Sequence, residues 1–184
     1  MIARIAIISE HASPLASLGG VDSGGQNVYV AQLAHQLAAR GLKVDVFPRR
    51  DDPSLPEIVD FITRVRVVHV DAGPARTLPK EELLPYMPEF AHRMIAFCRR
   101  QHADYDMVHA NFWTSGVVAM ALKRELGVPF VITFHALGRV RLQHQGDADR
   151  FPPVRAQIEE EIIATANAVI AECAQDRTDL IRLY

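Results

Sequence analysis

The sequence predicts a single α/β domain in which a parallel β-sheet carries helices on both faces. Short apolar runs alternate with longer amphipathic segments along the whole chain. The first run, residues 2–9, is almost continuously apolar and rich in isoleucine, which is typical of a strand buried on both faces. The length of 184 residues, with 49% hydrophobic side chains, suits one domain with a sizeable core.

The elements follow one another in a regular order. Strands are predicted at residues 2–9, 43–47, 65–70, 106–110, 129–134 and 168–172, and helices at 24–40, 80–101, 114–126, 154–166 and 176–184. Gly41 and Gly127 each follow a helix, as C-terminal capping residues do. Pro85 and Pro88 are expected to break the early part of the helix at 80–101. Residues 48–63 and 138–153 are predicted as mostly loop.

Composition restricts the function classes. The formal net charge is −2 and no basic stripe stands out, which disfavours nucleic acid as a partner. Two cysteines, Cys98 and Cys173, are too few for a disulfide framework and favour a reducing, cytoplasmic location. We find no signal peptide and no apolar run of about 20 residues that could span a membrane. The histidine spacings do not predict a metal site.

Ligands of open parallel sheets bind beyond the carboxyl ends of the strands, so the residues after each strand are the candidates. Gly24 and Gly25 stand directly before a helix. Glycine allows a positive φ and a close approach of the backbone to a ligand, and a helix N-terminus favours phosphate. The alternative is a solvent-exposed turn in which Ser23 is an ordinary N-cap. The run is neither a Gly-x-Gly-x-x-Gly nor a Walker A motif.

Further candidates follow the fourth and fifth strands. His109 and His135 stand at strand exits, where a structural role is an equally good interpretation. Asn111 and Phe112 follow the fourth strand, and the ring of Phe112 could stack on a sugar or pack under the next helix. For Trp113 packing is the favoured interpretation.

The second strand indicates which nucleotide cofactors fit. A dinucleotide-binding fold usually places Asp or Glu at this point to hold the ribose, whereas this chain has Arg49 and Arg50. Binding of NAD is therefore disfavoured. The arginine pair could hold the 2′-phosphate of NADP, so an NADP-dependent oxidoreductase is an alternative function. A non-catalytic module that binds a phosphosugar is another.

Several ordered motifs together resemble glycosyltransferase family 4, in particular its branch of sucrose-phosphate synthases, sucrose synthases and inositol-phosphate glycosyltransferases. The motifs are Ser-Glu-His-Ala-Ser-Pro at 9–14, Gly-Gly-Gln-Asn-Val-Tyr-Val at 24–30, His-Ala-Asn-Phe-Trp-Thr-Ser-Gly at 109–116 and Thr-Phe-His-Ala-Leu-Gly at 133–138. The resemblance extends over nearly the whole chain.

The resemblance implies the N-terminal half of a GT-B fold, in which two Rossmann-like domains face each other across a cleft. Residues 1–184 would form the acceptor-side domain, while a C-terminal domain with a paired-glutamate motif, absent from this sequence, would bind a nucleotide-sugar such as UDP-glucose. Reactions of this family retain the anomeric configuration and need no metal or other cofactor. The chain is therefore expected to be inactive alone, as a domain cut from a longer protein.

The resemblance also assigns roles to individual positions. Gly24 and Gly25 would approach the donor diphosphate or the acceptor, Gln26 and Asn27 would contact the acceptor, and His135 would touch the transferred sugar. His109, Asn111 and Phe112 complete the expected acceptor side.

Two cations, Lys80 and Arg155, would hold the acceptor phosphate, which suits a point charge paired with a guanidinium. Where the inositol-phosphate branch commonly has hydroxyl-bearing residues, this chain has Phe112 and Ala136. A hexose phosphate such as fructose 6-phosphate is therefore at least as well favoured as inositol phosphate.

Overall fold

The computed structural model describes residues 2–16 and 24–184. Ser23, the alternative N-cap of the first predicted helix, lies outside this part of the chain. The described residues form a seven-stranded sheet with helices on both faces, so the predicted fold class is confirmed.

The strands have the order β3-β4-β2-β1-β5-β6-β7 in the sheet, and all pairs are parallel except β3 with β4. Their bounds are β1 Arg4–Ile8, β2 Lys43–Phe47, β3 Ile58–Ile62, β4 Val65–Val68, β5 Met107–Asn111, β6 Phe130–Thr133 and β7 Ala168–Val169. The helices are α1 Gly25–Ala39, α2 Met87–Arg100, α3 Trp113–Leu126, α4 Gly138–Gln145, α5 Arg155–Thr165 and α6 Ala174–Leu183. Three 3₁₀ turns cover Lys80–Glu82, Leu84–Tyr86 and Gly146–Ala148.

Alternate residues of the central strands belong to two separate cores, as a sheet covered on both faces requires. Ile5 and Ile7 of β1 pack with Val30 and Ala34 of α1. Ile8 belongs to the larger core, to which α2, α3 and α5 contribute. The sheet is therefore buried under one helix on the first face and several on the second.

Two segments predicted as loops are ordered elements. Residues 58–62 form β3, which pairs antiparallel with β4 through a tight turn at Thr63 and Arg64. The surrounding prolines and charges obscured this short, mostly apolar run. Residues 138–145 form α4, whose sequence has no apolar stripe and whose start is fixed by tertiary contact, since the Gly138 N–H donates to the Glu159 carboxylate.

The prolines act as predicted. The segment from Lys80 begins with two 3₁₀ turns, and the regular helix α2 starts only at Met87. Pro88 occupies the first turn of that helix, where its missing N–H costs nothing. Both cysteines are free; Cys98 is buried in α2, whereas Cys173 is exposed at the start of α6. No helix in the described part of the chain is long and apolar enough to cross a bilayer.

The contact between α3 and α5 depends on the absence of a side chain at Gly116. A Cβ at this position would lie 2.7 Å from Cδ1 and 3.0 Å from Cγ2 of Ile162, a side chain that is fully buried. The Ile162 side chain cannot move away without disturbing its own neighbours.

We expect Gly116→Ala to lower the free energy of unfolding by about 1–3 kcal/mol, because overpacking outweighs the gain in helix propensity. Urea unfolding followed by circular dichroism measures the effect. Gly25→Ala is the matched control, since a Cβ there meets no atom of the described residues within 4 Å. Equal stability of the two variants would contradict the close packing of α3 on α5.

Candidate functional site

The candidate site lies at the carboxyl ends of β1, β5 and β6. Strand β1 pairs with β2 on one side and β5 on the other, so the chain changes direction across the sheet between β1 and β5. Such a reversal opens a crevice at the carboxyl ends of the two strands. The polar residues predicted to follow these strands are brought together there.

A buried carboxylate, Glu10, lies directly after β1. The hydroxyls of Thr114 and Ser115, in the first turn of α3, both donate to it, and His11 Nδ1 lies 2.8 Å from its Oε1. Burial acts to raise the pKa of the Glu10 carboxyl, but His11 and the two hydroxyl donors together hold it below its usual value. Glu10 is thus a fixed negative charge below the start of α3.

Glu10 is a charged residue of this edge whose contacts sequence reasoning did not find. Its partners lie 104 and 105 positions along the chain, and one sequence does not show which hydroxyls meet which carboxylate.

Two histidines lie side by side at the ends of β5 and β6. His109 Nε2 lies 2.9 Å from the Thr133 hydroxyl, and burial, with the nearby His135, lowers the pKa of His109 to about 4. The ring of Tyr29, on α1, makes edge contacts with both imidazoles. His109 is therefore a neutral, buried residue, while His135 is only partly covered.

The imidazole of His135 faces two acceptors. Its Nε2 lies 3.0 Å from Asn111 Oδ1, and its Nδ1 lies 3.0 Å from the Glu172 carboxylate. Asn111 Nδ2 donates to two backbone carbonyls, so Oδ1 is the acceptor atom. Burial lowers the pKa of His135, although Glu172 opposes this effect. The neutral ring can donate to only one of its two partners, so one acceptor remains for another donor.

Two residues at these strand ends have strained backbones. Phe112 has φ 83°, and His135 has φ 59°, a region that side chains other than glycine rarely adopt. Such strain persists where the surrounding structure holds it, and it is concentrated at functional sites. Both residues were predicted site residues, one following β5 and one following β6.

The start of α1 closes the other side of the crevice. Asn27 is buried; its Oδ1 accepts from the Gly24 N–H at 3.1 Å and its Nδ2 donates to the Ser13 carbonyl. Gln26 Nε2 donates to Ser9 Oγ and to the Asn111 carbonyl. Both amide side chains therefore hold the helix start against the strand ends.

Neither Gly24 nor Gly25 uses the positive φ that glycine allows. Gly24 has φ −108°, and Gly25 is helical. The conformation therefore does not require glycine here. A Cβ on either residue would meet no atom of residues 2–16 and 24–184 within 4 Å, so the described part of the chain does not crowd this helix start.

The two predicted phosphate-binding cations have different surroundings. Lys80 is exposed and lines a small cavity of about 50 Å³ together with Glu10, His11 and Ser13. Arg155 is 2% exposed and does not line that cavity. Its guanidinium lies 4.4 Å from the centre of the Phe151 ring and is also stacked on Phe112 and Trp113.

Two of the three guanidinium nitrogens of Arg155 have hydrogen-bond partners. Its Nε donates to Glu159 at 2.8 Å, and its Nη2 donates to the Ala136 carbonyl. Its Nη1 is buried and has no partner among the described residues. Trp113 is fully buried beside it, which confirms packing rather than sugar stacking for that residue.

Arg49 is not available to a cofactor phosphate. It is buried, and its guanidinium donates to the carbonyls of Arg50, Ala72, Pro74 and Arg76, which fixes the loop after β4. Arg50 lies 3.5 Å from the Asp71 carboxylate. The arrangement takes one of the two arginines away from the NADP alternative. In the described part of the chain, His, Cys, Asp and Glu side chains do not form a group of three or more that could hold a metal ion.

The fold and this edge define a Rossmann-like domain of the kind that binds phosphorylated small molecules at its strand ends. A family model described as Glycosyltransferase Family 4 matches residues 23–184. The chain belongs to this family, as the sequence motifs predicted.

Similar proteins span more than this chain. It is 40% identical over 182 residues to a D-inositol 3-phosphate glycosyltransferase of Corynebacterium jeikeium, and 42% identical over 182 residues to another of Catenulispora acidiphila. Each match covers 98% of this chain and 43% of the relative.

Among solved structures, a sucrose-phosphate synthase from Thermosynechococcus elongatus superposes with a TM-score of 0.91 at 33% identity. The match covers 98% of this chain and 45% of that protein. The domain matches the N-terminal half of the GT-B fold. The chain thus spans less than half the length of these relatives.

The burial of His109 predicts a specific loss of stability in acid. The unfolded chain takes up a proton on this histidine below pH about 6.5, whereas the folded state does so only near pH 4. The free energy of unfolding should therefore fall between pH 6.5 and 4, with up to about 3 kcal/mol from His109.

We expect His109→Gln to flatten the unfolding free energy as a function of pH within this window, as measured by urea denaturation at half-unit intervals. His35→Gln, at an exposed position of α1, corrects for the loss of one histidine. If both variants lost the same slope, the burial of His109 would not be the cause.

Proposed function

We propose that this domain is the acceptor-binding half of a retaining glycosyltransferase that moves a hexose from a nucleotide-sugar to a phosphorylated sugar or polyol. Membership of family 4 supports the reaction class. The observation that carries the acceptor side is the cavity at the strand ends, where exposed Lys80 lies beside His11 and Ser13. Because the chain is less than half the length of its relatives, transfer itself would need a second domain that binds the donor.

Lys80 and Arg155 would provide the charge for the acceptor phosphate. Lys80 would contact the phosphate directly. Arg155 would support it from below, because its guanidinium stacks on Phe112, whose ring in turn contacts the edge of His11 in the cavity wall.

His135 would orient the transferred sugar. Its ring faces two acceptors and can donate to only one, so a sugar hydroxyl could take the other. The start of α1 would place Gly24 and Gly25 against the donor diphosphate, where N–H groups and the helix dipole stabilise the charge that develops on the leaving group. Gln26, Asn27, His109 and Asn111 would complete the acceptor side by holding these groups in position.

The acceptor class rests on two side chains that lack a hydroxyl. Phe112 and half-buried Ala136 stand where the inositol-phosphate branch commonly has hydroxyls, and the Ala136 carbonyl is held by Arg155. A hexose phosphate such as fructose 6-phosphate is therefore at least as good a candidate as the inositol phosphate named for the relatives. The printed names of relatives do not decide this, since one solved neighbour is a sucrose-phosphate synthase.

Isothermal titration of the chain with fructose 6-phosphate tests the acceptor site. We expect Lys80→Ala to weaken binding about tenfold at low salt, since an ammonium–phosphate contact is lost at a partly exposed site. Arg93→Ala, which removes an exposed charge on α2, is the control. Equal affinity of wild type and Lys80→Ala would contradict the site, and binding of NADPH alone would return the oxidoreductase alternative.

Ala136→Thr tests the acceptor class. The added hydroxyl should raise the affinity for inositol phosphate relative to fructose 6-phosphate by about three- to tenfold, the value of one hydrogen bond. Ala136→Val has the same shape without the hydroxyl and should leave the ratio of the two dissociation constants unchanged. A shift of the same size in both variants would mean that shape, not hydrogen bonding, sets the preference.

A further inference from the structure

A second cavity lies at the amino edge of the sheet, opposite the candidate site. It has a volume of about 630 Å³, within the usual range for small-molecule sites. Its walls come from the starts of β1, β2 and β4, from the turn between β3 and β4, and from Gln101 after α2. The proposed transfer reaction does not use it.

The cavity is positively charged in an acidic chain. Four cations line it, Arg4, Lys43, Arg64 and Arg66, against two carboxylates. Its formal charge of +2 contrasts with −2 for the whole chain, which leaves −4 on the rest of the molecule. Such a local excess of positive charge attracts anions.

The buried carboxylate in this cavity, Asp45, is fully occupied. Its Oδ1 accepts from Arg66 Nε at 2.7 Å, and its Oδ2 accepts from Arg66 Nη2, Arg4 Nη2 and the Tyr105 hydroxyl at 2.9, 2.8 and 2.6 Å. A carboxylate offers about four acceptor sites. Asp45 therefore orients both guanidinium groups and cannot accept from their remaining N–H groups.

Several donors remain in the cavity wall. Arg4 Nε and Nη1, and Arg66 Nη1, have no hydrogen-bond partner in residues 2–16 and 24–184, and the two side chains are 23% and 31% exposed. Lys43 is exposed beside them. The Arg4 and Arg66 guanidinium groups are held in place before any ligand arrives, which reduces the entropy lost on binding.

The turn adds a fourth cation at a cost in backbone strain. Arg64 has φ 70° at a hairpin position that favours Gly or Asn, and its Nη1 donates to the Gly41 carbonyl at 3.1 Å. If the cavity binds an anion, the positive charge of Arg64 explains why an arginine occupies this strained position.

We propose that this cavity binds the phosphate group of a small phosphorylated metabolite, as a regulatory site separate from the proposed acceptor site. Arg4 and Arg66, fixed by Asp45, would form the floor of the site. Lys43 and Arg64 would close over the phosphate from the rim. Phe61, also in the lining, offers an apolar surface to the rest of the ligand.

Amide chemical shifts in ¹⁵N–¹H NMR spectra of the chain locate the binding site directly. The probes are inorganic phosphate, glucose 6-phosphate and AMP. We expect the amide signals of residues 43 and 62–66 to shift with ligand concentration, whether glucose 6-phosphate or AMP binds more tightly. Tighter binding of AMP, lost in Phe61→Leu, would identify a nucleotide, and tighter binding of glucose 6-phosphate would identify a sugar phosphate.

The variants Lys43→Ala and Arg64→Gly leave the buried Asp45 network intact, and Arg64→Gly also relieves the backbone strain. We expect each to weaken binding about threefold and the pair about tenfold, while Arg124→Ala, on an exposed helix end, has no effect. Lys80→Ala should leave these shifts unchanged, which separates this site from the acceptor site. Absence of shifts at residues 43 and 62–66, or shifts that persist in the double variant, would overturn the proposal.

Discussion

The ion pair between Arg155 and Glu159 joins more of this structure than any other contact described above. Arg155 holds the Ala136 carbonyl, while Glu159 accepts from the Gly138 N–H and from the Tyr184 hydroxyl. One pair within α5 thus fixes the exit of β6, the start of α4 and the end of α6. Because both partners are buried, removal of either would leave an uncompensated charge, which costs about 3–5 kcal/mol.

Two neighbouring helix starts at the same edge of the sheet have opposite electrostatic roles. Glu10 lies below the start of α3 and accepts from both hydroxyls of its first turn, so that helix end is neutralised from within the fold. The first turn of α1 contains no acidic residue, and among the described residues no side chain packs on Gly24 or Gly25. Within the described part of the chain, the positive end of α1 therefore lacks the internal carboxylate that α3 has.

The sequence was sufficient for the features that depend on local pattern. Apolar runs located the parallel strands, and Pro88 and Gly127 marked the start and the end of helices. Features that depend on tertiary contact were not predictable in this way. The helix α4 has no apolar stripe, and it forms because Glu159 and Tyr184 bind its first backbone groups.

In the candidate site, too, some features follow from local pattern and others depend on tertiary contact. Placement at the strand ends brought His109, Asn111 and His135 to one crevice, as expected from topology. The surroundings of each side chain could not be predicted from the sequence, because they depend on packing. Arg155 is buried among three aromatic rings, and Arg49 binds backbone carbonyls. The roles assigned to the site residues remain predictions for the experiments to decide.

The two outer strands make the sheet a poor template for further growth. At one edge, β3 carries an exposed Asp60 beside a register irregularity, and at the other edge β7 is only two residues long. Charges, bulges and short edge strands are devices that prevent edge-to-edge pairing of sheets. The sheet thereby resists the intermolecular strand addition that leads to aggregation, even though its central strands are among the most apolar segments of the chain.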